Sequence, residues 1–242
     1  MKIRWYIEKM EETMSKKKQD IIIVICVITL VLSVCAIFCI YYMNKNEEFI
    51  FSENLDKIVL TVKDDSESMN ISMQEIAYYI INVEGDVDDM AHQFNNENLN
   101  AYLNVKLDKG LYTMRKYAKD LVIEKSVMDN IYYMEAIKNN ITLTDKEKEL
   151  ASEDAHIILK NMTAKQMDVT DYSFEDLYKI MNKLYLTAKY VGQLMEAGYT
   201  REELDYKGSY YLKLKDEYSY IVEEKLWDEV KLGELTVDRK ND

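Results

Sequence analysis

A reactive centre in this sequence would have to be built from histidine, cysteine or carboxylate, and only carboxylates are plentiful. The 242 residues contain two histidines, His92 and His156. A zinc-hydrolase helix needs two histidines four positions apart with a glutamate beside the first as base, and no such pair exists. The glycine-flanked serine of a nucleophile elbow, the lysine-tipped phosphate loop and the dinucleotide glycine fingerprint are missing as well. The three cysteines, Cys26, Cys35 and Cys39, fall within one apolar run, so neither a disulfide nor a thiolate metal site is expected further on. Asp86, Asp88 and Asp89 gather acid as a calcium loop would, but the glycine such a loop needs at its sixth position is not there. Counting alone leaves open a glycosidase-type pair of carboxylates. Acidic residues on amphipathic helices ordinarily form the solvated face, so no catalytic, cofactor or metal site is expected.

The largest organising feature is the apolar run Ile21 to Tyr42, which contains no charged residue. At 1.5 Å per residue it reaches about 33 Å, enough for a hydrocarbon core of about 30 Å. Lys2, Arg4, Lys9, Lys16, Lys17 and Lys18 precede it, whereas Lys45 and Lys57 follow, a bias that keeps the tail in the cytoplasm and sends the rest across the membrane. Val34-Cys35-Ala36 offers a signal-peptide cleavage step, but the apolar run continues through Ile37, Phe38 and Ile40, which favours an uncleaved anchor. A lipoprotein site at Cys35 would need a small residue before the cysteine, where Val34 stands.

The expected organisation is a basic tail over 1–20, a transmembrane helix over 21–42, a stalk over 43–56, a helical domain over 57–232 and a flexible tail over 233–242. Beyond residue 42 stand 25 basic and 40 acidic residues, a formal charge of −15 that argues against nucleic acid and anionic lipid as partners. The fold class expected is mainly α, with an N-terminal transmembrane helix followed by an extracytoplasmic helical domain carrying a small strand pair.

Within that domain Ile58 to Val62 is β-branched and reads as a strand, followed by a polar turn at Asp64 to Ser68. Ser72 and Glu75 have the spacing of a capping box, with Ile76, Tyr79, Ile80 and Val83 on one face behind it. Between Glu84 and Gly110 the pattern loosens into a loop or broken helix. From Leu111 a long amphipathic helix runs through Met114, Ala118, Leu121, Val122, Met128, Tyr132 and Ala136, to be stopped by Asn139 and Asn140. Thr144 and Glu147 form the next capping box. After a loose joint at Thr163 to Thr170, a third long helix spans Ser173 to Ala197, with Leu177, Ile180, Met181, Leu184, Ala188, Val191 and Met195 as its seam and Gly198 as its cap. A helix from Arg201, a strand at Tyr218 to Val222 pairing with the first strand, and Trp227 in a final turn complete the domain.

The order of these motifs resembles the N-terminal chaperone domain of SurA and PrsA-type foldases. The resemblance rests on IVLTV from Ile58, on ISMQE from Ile71 with Tyr78 and Tyr79 behind it, and on AIKNNITLTDKEKE from Ala136 to Glu149. It covers about Lys57 to Lys160, and Asn140 stands where that family usually has glycine. It implies a membrane-anchored protein that binds unfolded or exported polypeptides without catalysis. A second reading is an adaptor docked on one fixed cell-envelope or secretion partner, and a third is a prolyl isomerase-type foldase. Ala155 to Lys160, AHIILK, is similar to the opening strand of a parvulin isomerase, S-H-I-L-V-K, but no glycine-rich step and no further histidine follow. His156 therefore reads as a half-buried structural residue. The polypeptide-binding candidates are Met90, Phe94, Tyr102, Tyr112, Tyr132, Tyr133, Tyr210 and Tyr211, because methionine repacks readily and tyrosine joins apolar area to a polar tip.

Overall fold

The computed structural model describes residues 31–37, 49–94, 98–107, 110–233 and 235. The chain divides into two units, Met1–Phe49 and Ile50–Asp242. In the first, 31–37 are helical and Cys35 is exposed. The tail over 1–20, the remainder of the expected span over 21–42, and residues 43–48 lie outside the described residues. Among the described residues no helix is long and apolar enough to cross a membrane.

The second unit starts earlier than the expected boundary at 57. Phe51–Asn54 form one helical turn, and the carbonyls of Leu55 and Lys57 accept from the amides of Gln74 and Met73 at 2.9 and 2.8 Å, which ties much of the expected stalk into the fold. The β-branched segment forms strand β1 (Ile58–Lys63). The Asp64 carboxylate then closes a tight turn by accepting from the amides of Ser66 and Glu67 at 2.6 and 2.7 Å. The chain next returns as a strand rather than entering a helix directly. β2 (Ser68–Ser72) pairs antiparallel with β1, driven by Ile71, which is buried against the core. The sheet gains its third member from the far end of the chain, because β3 (Ser219–Val222) pairs antiparallel on the other side of β1, giving the order β2-β1-β3.

Ser72 ends β2 and caps α1 (Met73–Gln93), its hydroxyl accepting from the Glu75 amide at 3.1 Å. The reciprocal half of the box is not made, since Glu75 is engaged by Lys183 instead. α1 also runs nine residues past the expected break at Glu84. Val83, Val87 and Ala91 bury one face of it, and buried Glu84 accepts from the amide of Gly233 at 2.5 Å. A short helix α2 (Leu99–Leu103), capped by Asn98, leads to α3 (Met114–Lys138), capped by Thr113. Leu111 lies before that cap and is 89% exposed, so it is not part of the seam. α3 is the central element, packing on α1, β1 and the later long helix, with residues buried on most of its circumference. It ends as expected with Asn140 in the left-handed region (φ 55°), and the amides of Asn140 and Ile141 return to the carbonyls of Ile137 and Ala136.

α4 (Asp145–Asn161) opens on the Thr144–Glu147 capping box. The expected loose joint is instead a helix, α5 (Ala164–Thr170), because Thr163 and Gln166 form a further capping box. α6 (Phe174–Glu196) is capped by Ser173 and ended by Gly198 at φ 107°. The helix expected from Arg201 is split into α7 (Arg201–Leu204) and α8 (Ser209–Lys215). Gly208 permits the sharp junction, since a Cβ there would lie 2.2 Å from the carbonyl oxygens of Glu202 and Glu203. α9 (Glu224–Glu229) follows β3 and buries Trp227.

Two cations one turn apart on α3 hold the C-terminal segment down. Lys119 donates to the Trp227 carbonyl at 2.6 Å and lies 5.0 Å from its ring, and Arg115 donates to the Leu232 carbonyl. Leu232 and Leu235 are buried, so the expected flexible tail is anchored at its start, while 234 and 236–242 lie outside the described residues.

Candidate functional site

At 3.6 residues per turn, Leu177, Ile180, Met181, Leu184, Ala188, Val191 and Met195 share one face of α6. The first three are buried. Further along, the buried face rotates to Thr187 and Tyr190, because α3 approaches from that side. The Thr187 hydroxyl donates to the Asp129 carbonyl at 3.2 Å, and the Tyr190 ring lies 6.1 Å from that of Tyr132. The apolar stripe therefore continues past its cover. Leu184 and Val191 are half-buried, Ala188 is exposed and Met195 is 47% exposed.

These four residues form one wall of an open groove of about 480 Å³, with Met128 and Tyr132 of α3 and Leu204 of α7 opposite. The Tyr132 hydroxyl donates to the Leu204 carbonyl at 2.7 Å and so holds α7 against the end of the groove. Gly192 adds width, because nothing lies within 4 Å of where its Cβ would stand. Methionines stand on both walls, and their unbranched thioethers adapt to differently shaped occupants. The polar groups reaching the groove are Asp129, Thr187, Arg201 and Asp205. Burial pushes the Asp129 carboxyl up to about 6, against the Tyr79 hydrogen bond and the charges of Lys183 and Lys125, which act to lower it.

The eight candidates from the sequence do not converge on one surface. Tyr132 and Tyr211 belong to the core, with ring centroids 5.9 Å apart, and Tyr211 is 0% exposed. Tyr102 is buried too, beneath Phe94, whose ring stacks on it at 6.2 Å and is itself 72% exposed. These three tyrosines are corrections to the surface expectation: the interior has room for their rings, and Tyr132 meets a carbonyl there. Met90, Tyr112, Tyr133 and Tyr210 are half-buried. Tyr112 donates to Asp120 at 2.9 Å, Tyr133 lines a separate hollow beside Leu143 and Leu186, and Tyr210 lines another with Tyr199. Of the eight, only Tyr132 reaches the groove, as part of its floor.

His156 is exposed rather than half-buried, and it stacks on Phe174 with centroids 4.1 Å apart. The segment Ala155 to Lys160 that is similar to a parvulin strand lies within helix α4. A second network joins the turn after β1 to the end of α3. Lys138 meets Asp64, Glu135 and the Tyr218 hydroxyl at 2.6, 2.9 and 2.7 Å. The hydrogen bond from Lys138, with those from the turn amides, holds the Asp64 carboxyl well below the usual carboxylate range.

The groove walls Leu184, Ala188, Val191 and Met195 stand in the sequence as part of one seam, and nothing in its period marks where the cover ends. Comparison of the chain with protein families, with characterised proteins and with solved structures finds no match.

Proposed function

We propose that this chain is a non-catalytic, chaperone-like protein that binds apolar segments of unfolded or exported polypeptides in the groove along α6. The observation that carries the reading is the stripe of Leu184, Ala188, Val191 and Met195, which continues out of the core into an open groove walled by Met128 and Leu204. An uncovered apolar wall of this kind has to be offset by the rest of the fold, and methionine on both sides suits occupants of varied shape. The apolar run Ile21 to Tyr42 and its basic flank supply the rest of the reading: a single membrane anchor, with the binding domain on the extracytoplasmic side. The resemblance to the SurA and PrsA-type foldases points to the same class of client.

The test is suppression of aggregation of several unrelated unfolded proteins by the full chain and by Ala188→Glu, which places a charge on the exposed wall. Suppression by the full chain and its loss in the variant is the expected result. Equal suppression by both would remove the groove from the mechanism. One stoichiometric partner in a crosslinking pull-down, with no general suppression, would replace the chaperone with an adaptor. Prolyl isomerase activity above background would replace it with an enzyme.

A further inference from the structure

Across α7 from the groove, Tyr199 and Tyr210 stand with ring centroids 4.5 Å apart and planes inclined at 57°. They open onto a second pocket of about 420 Å³ that is also lined by Glu203 and Glu217. Tyr199 is 39% exposed, and Tyr210 is half-buried. Both are held in place. The two rings rest against each other, Tyr210 is carried by α8, and the Tyr199 amide donates to the Leu194 carbonyl at 3.1 Å beyond the Gly198 turn. Glu203 is fixed by its capping box, accepting from the amide and hydroxyl of Thr200 at 2.9 and 3.0 Å. Those bonds hold its carboxyl below the usual range, so it is charged at neutral pH.

Elsewhere tyrosine faces are used internally. Tyr133, Tyr206 and Tyr218 each have a lysine of this chain over the ring, at 5.5, 4.9 and 4.6 Å. Among the described residues no lysine stands over Tyr199 or Tyr210. Two preset ring faces with two carboxylates beside them attract a cation through the ring quadrupoles and through charge.

We infer that this pocket receives the cationic side chain, lysine or arginine, of a basic residue next to the apolar segment that occupies the groove. The identity of the carrier rests on the polypeptide-binding reading above; the affinity of the pocket for a cation does not. The chain's net charge of −13 favours approach of basic segments. Lys213 shares the pocket lining and opposes an incoming cation, so Lys213→Gln strengthens binding.

Two measurements on the full chain decide it. In the first, two labelled peptides share one apolar segment and differ in a flanking lysine or glutamine. The lysine peptide is expected to bind about fivefold or more tightly, and Tyr199→Leu combined with Glu217→Gln removes that preference while leaving the glutamine peptide unaffected. A preference that survives the double substitution overturns the site. In the second, the chain is titrated with Nα-acetyl-lysine amide while tyrosine ring resonances are followed. Shifts at Tyr199 and Tyr210 in the parent chain, with the Tyr210 shift lost in Tyr199→Leu, support the site even if neither peptide binds, in which case the groove reading alone falls. No shift at these rings overturns the inference.

Discussion

Helices α1 and α6 carry apolar stripes of the same period, and only α1 is covered along its length. On α1, Ile76, Ile80, Val83 and Val87 are shut in beside α3 and the sheet, α2 packs on it as well, and Glu84 accepts from the Gly233 amide of the C-terminal segment. On α6 the cover reaches Leu177, Ile180 and Met181, then turns aside to Thr187 and Tyr190. α7, four residues long, closes only the end. The two helices differ in what packs on them rather than in what they are made of. Apolar area left in water forgoes roughly 25 cal/mol per Å² of stabilisation, so the open stretch of α6 adds less to the fold than the covered stripe of α1.

The sharpest way to break this contrast is to truncate both stretches of the α6 stripe. Leu177→Ala empties a site that is fully buried and is expected to cost about 2–5 kcal/mol in denaturant unfolding of the full chain. Val191→Ala, on the open stretch, is expected to cost well under half of that. Equal losses at the two positions would mean that the groove is as tightly filled as the core.

Asp129 lines the groove and faces Tyr79 of α1, and it gives the contrast a pH signature. Its folded carboxyl titrates near 6, above the ordinary aspartate value, because burial disfavours the charge. The folded state therefore holds a proton that the unfolded chain has released, and stability falls as pH rises from about 4 to about 6. Asp129→Asn is close to isosteric and removes the ionisation. It is expected to stabilise the chain at pH 7 by roughly 1–3 kcal/mol and to flatten that window of the stability–pH curve. An unchanged curve would mean that Asp129 is as well solvated as a surface carboxylate.

Features set by neighbours in sequence were legible before the structure. The Thr144 cap, the left-handed Asn140 and the Gly198 stop depend on residues within a turn of one another, and all three are present. The pairing of β1 with β3 was legible because both segments are β-branched and the ends of a domain have few other partners. What escaped depends on distant contacts. α1 continues past Glu84, and Gly233, 149 positions away, satisfies that buried carboxylate. β2 exists because β1 is beside it, and Ser72 makes half a box because Lys183 claims Glu75. Periodicity names a helix face without saying what covers it, so a groove wall reads as a seam and core tyrosines read as surface.

Gly192 separates stability from binding at the smallest scale. A glycine inside a helix forgoes about 0.5–1 kcal/mol relative to alanine, and at this position no neighbour would resist a methyl group, since nothing lies within 4 Å of the Cβ site. Packing therefore gives no reason for glycine there, whereas the groove does, because a methyl at this point narrows it. Gly192→Ala is expected to raise the denaturation midpoint by an amount equivalent to about 0.5–1 kcal/mol and to weaken binding of apolar segments. Raised stability with unchanged binding would place the occupant towards Leu184 and away from the Gly192 end, whereas lowered stability would reveal a neighbour that packs against this helix face.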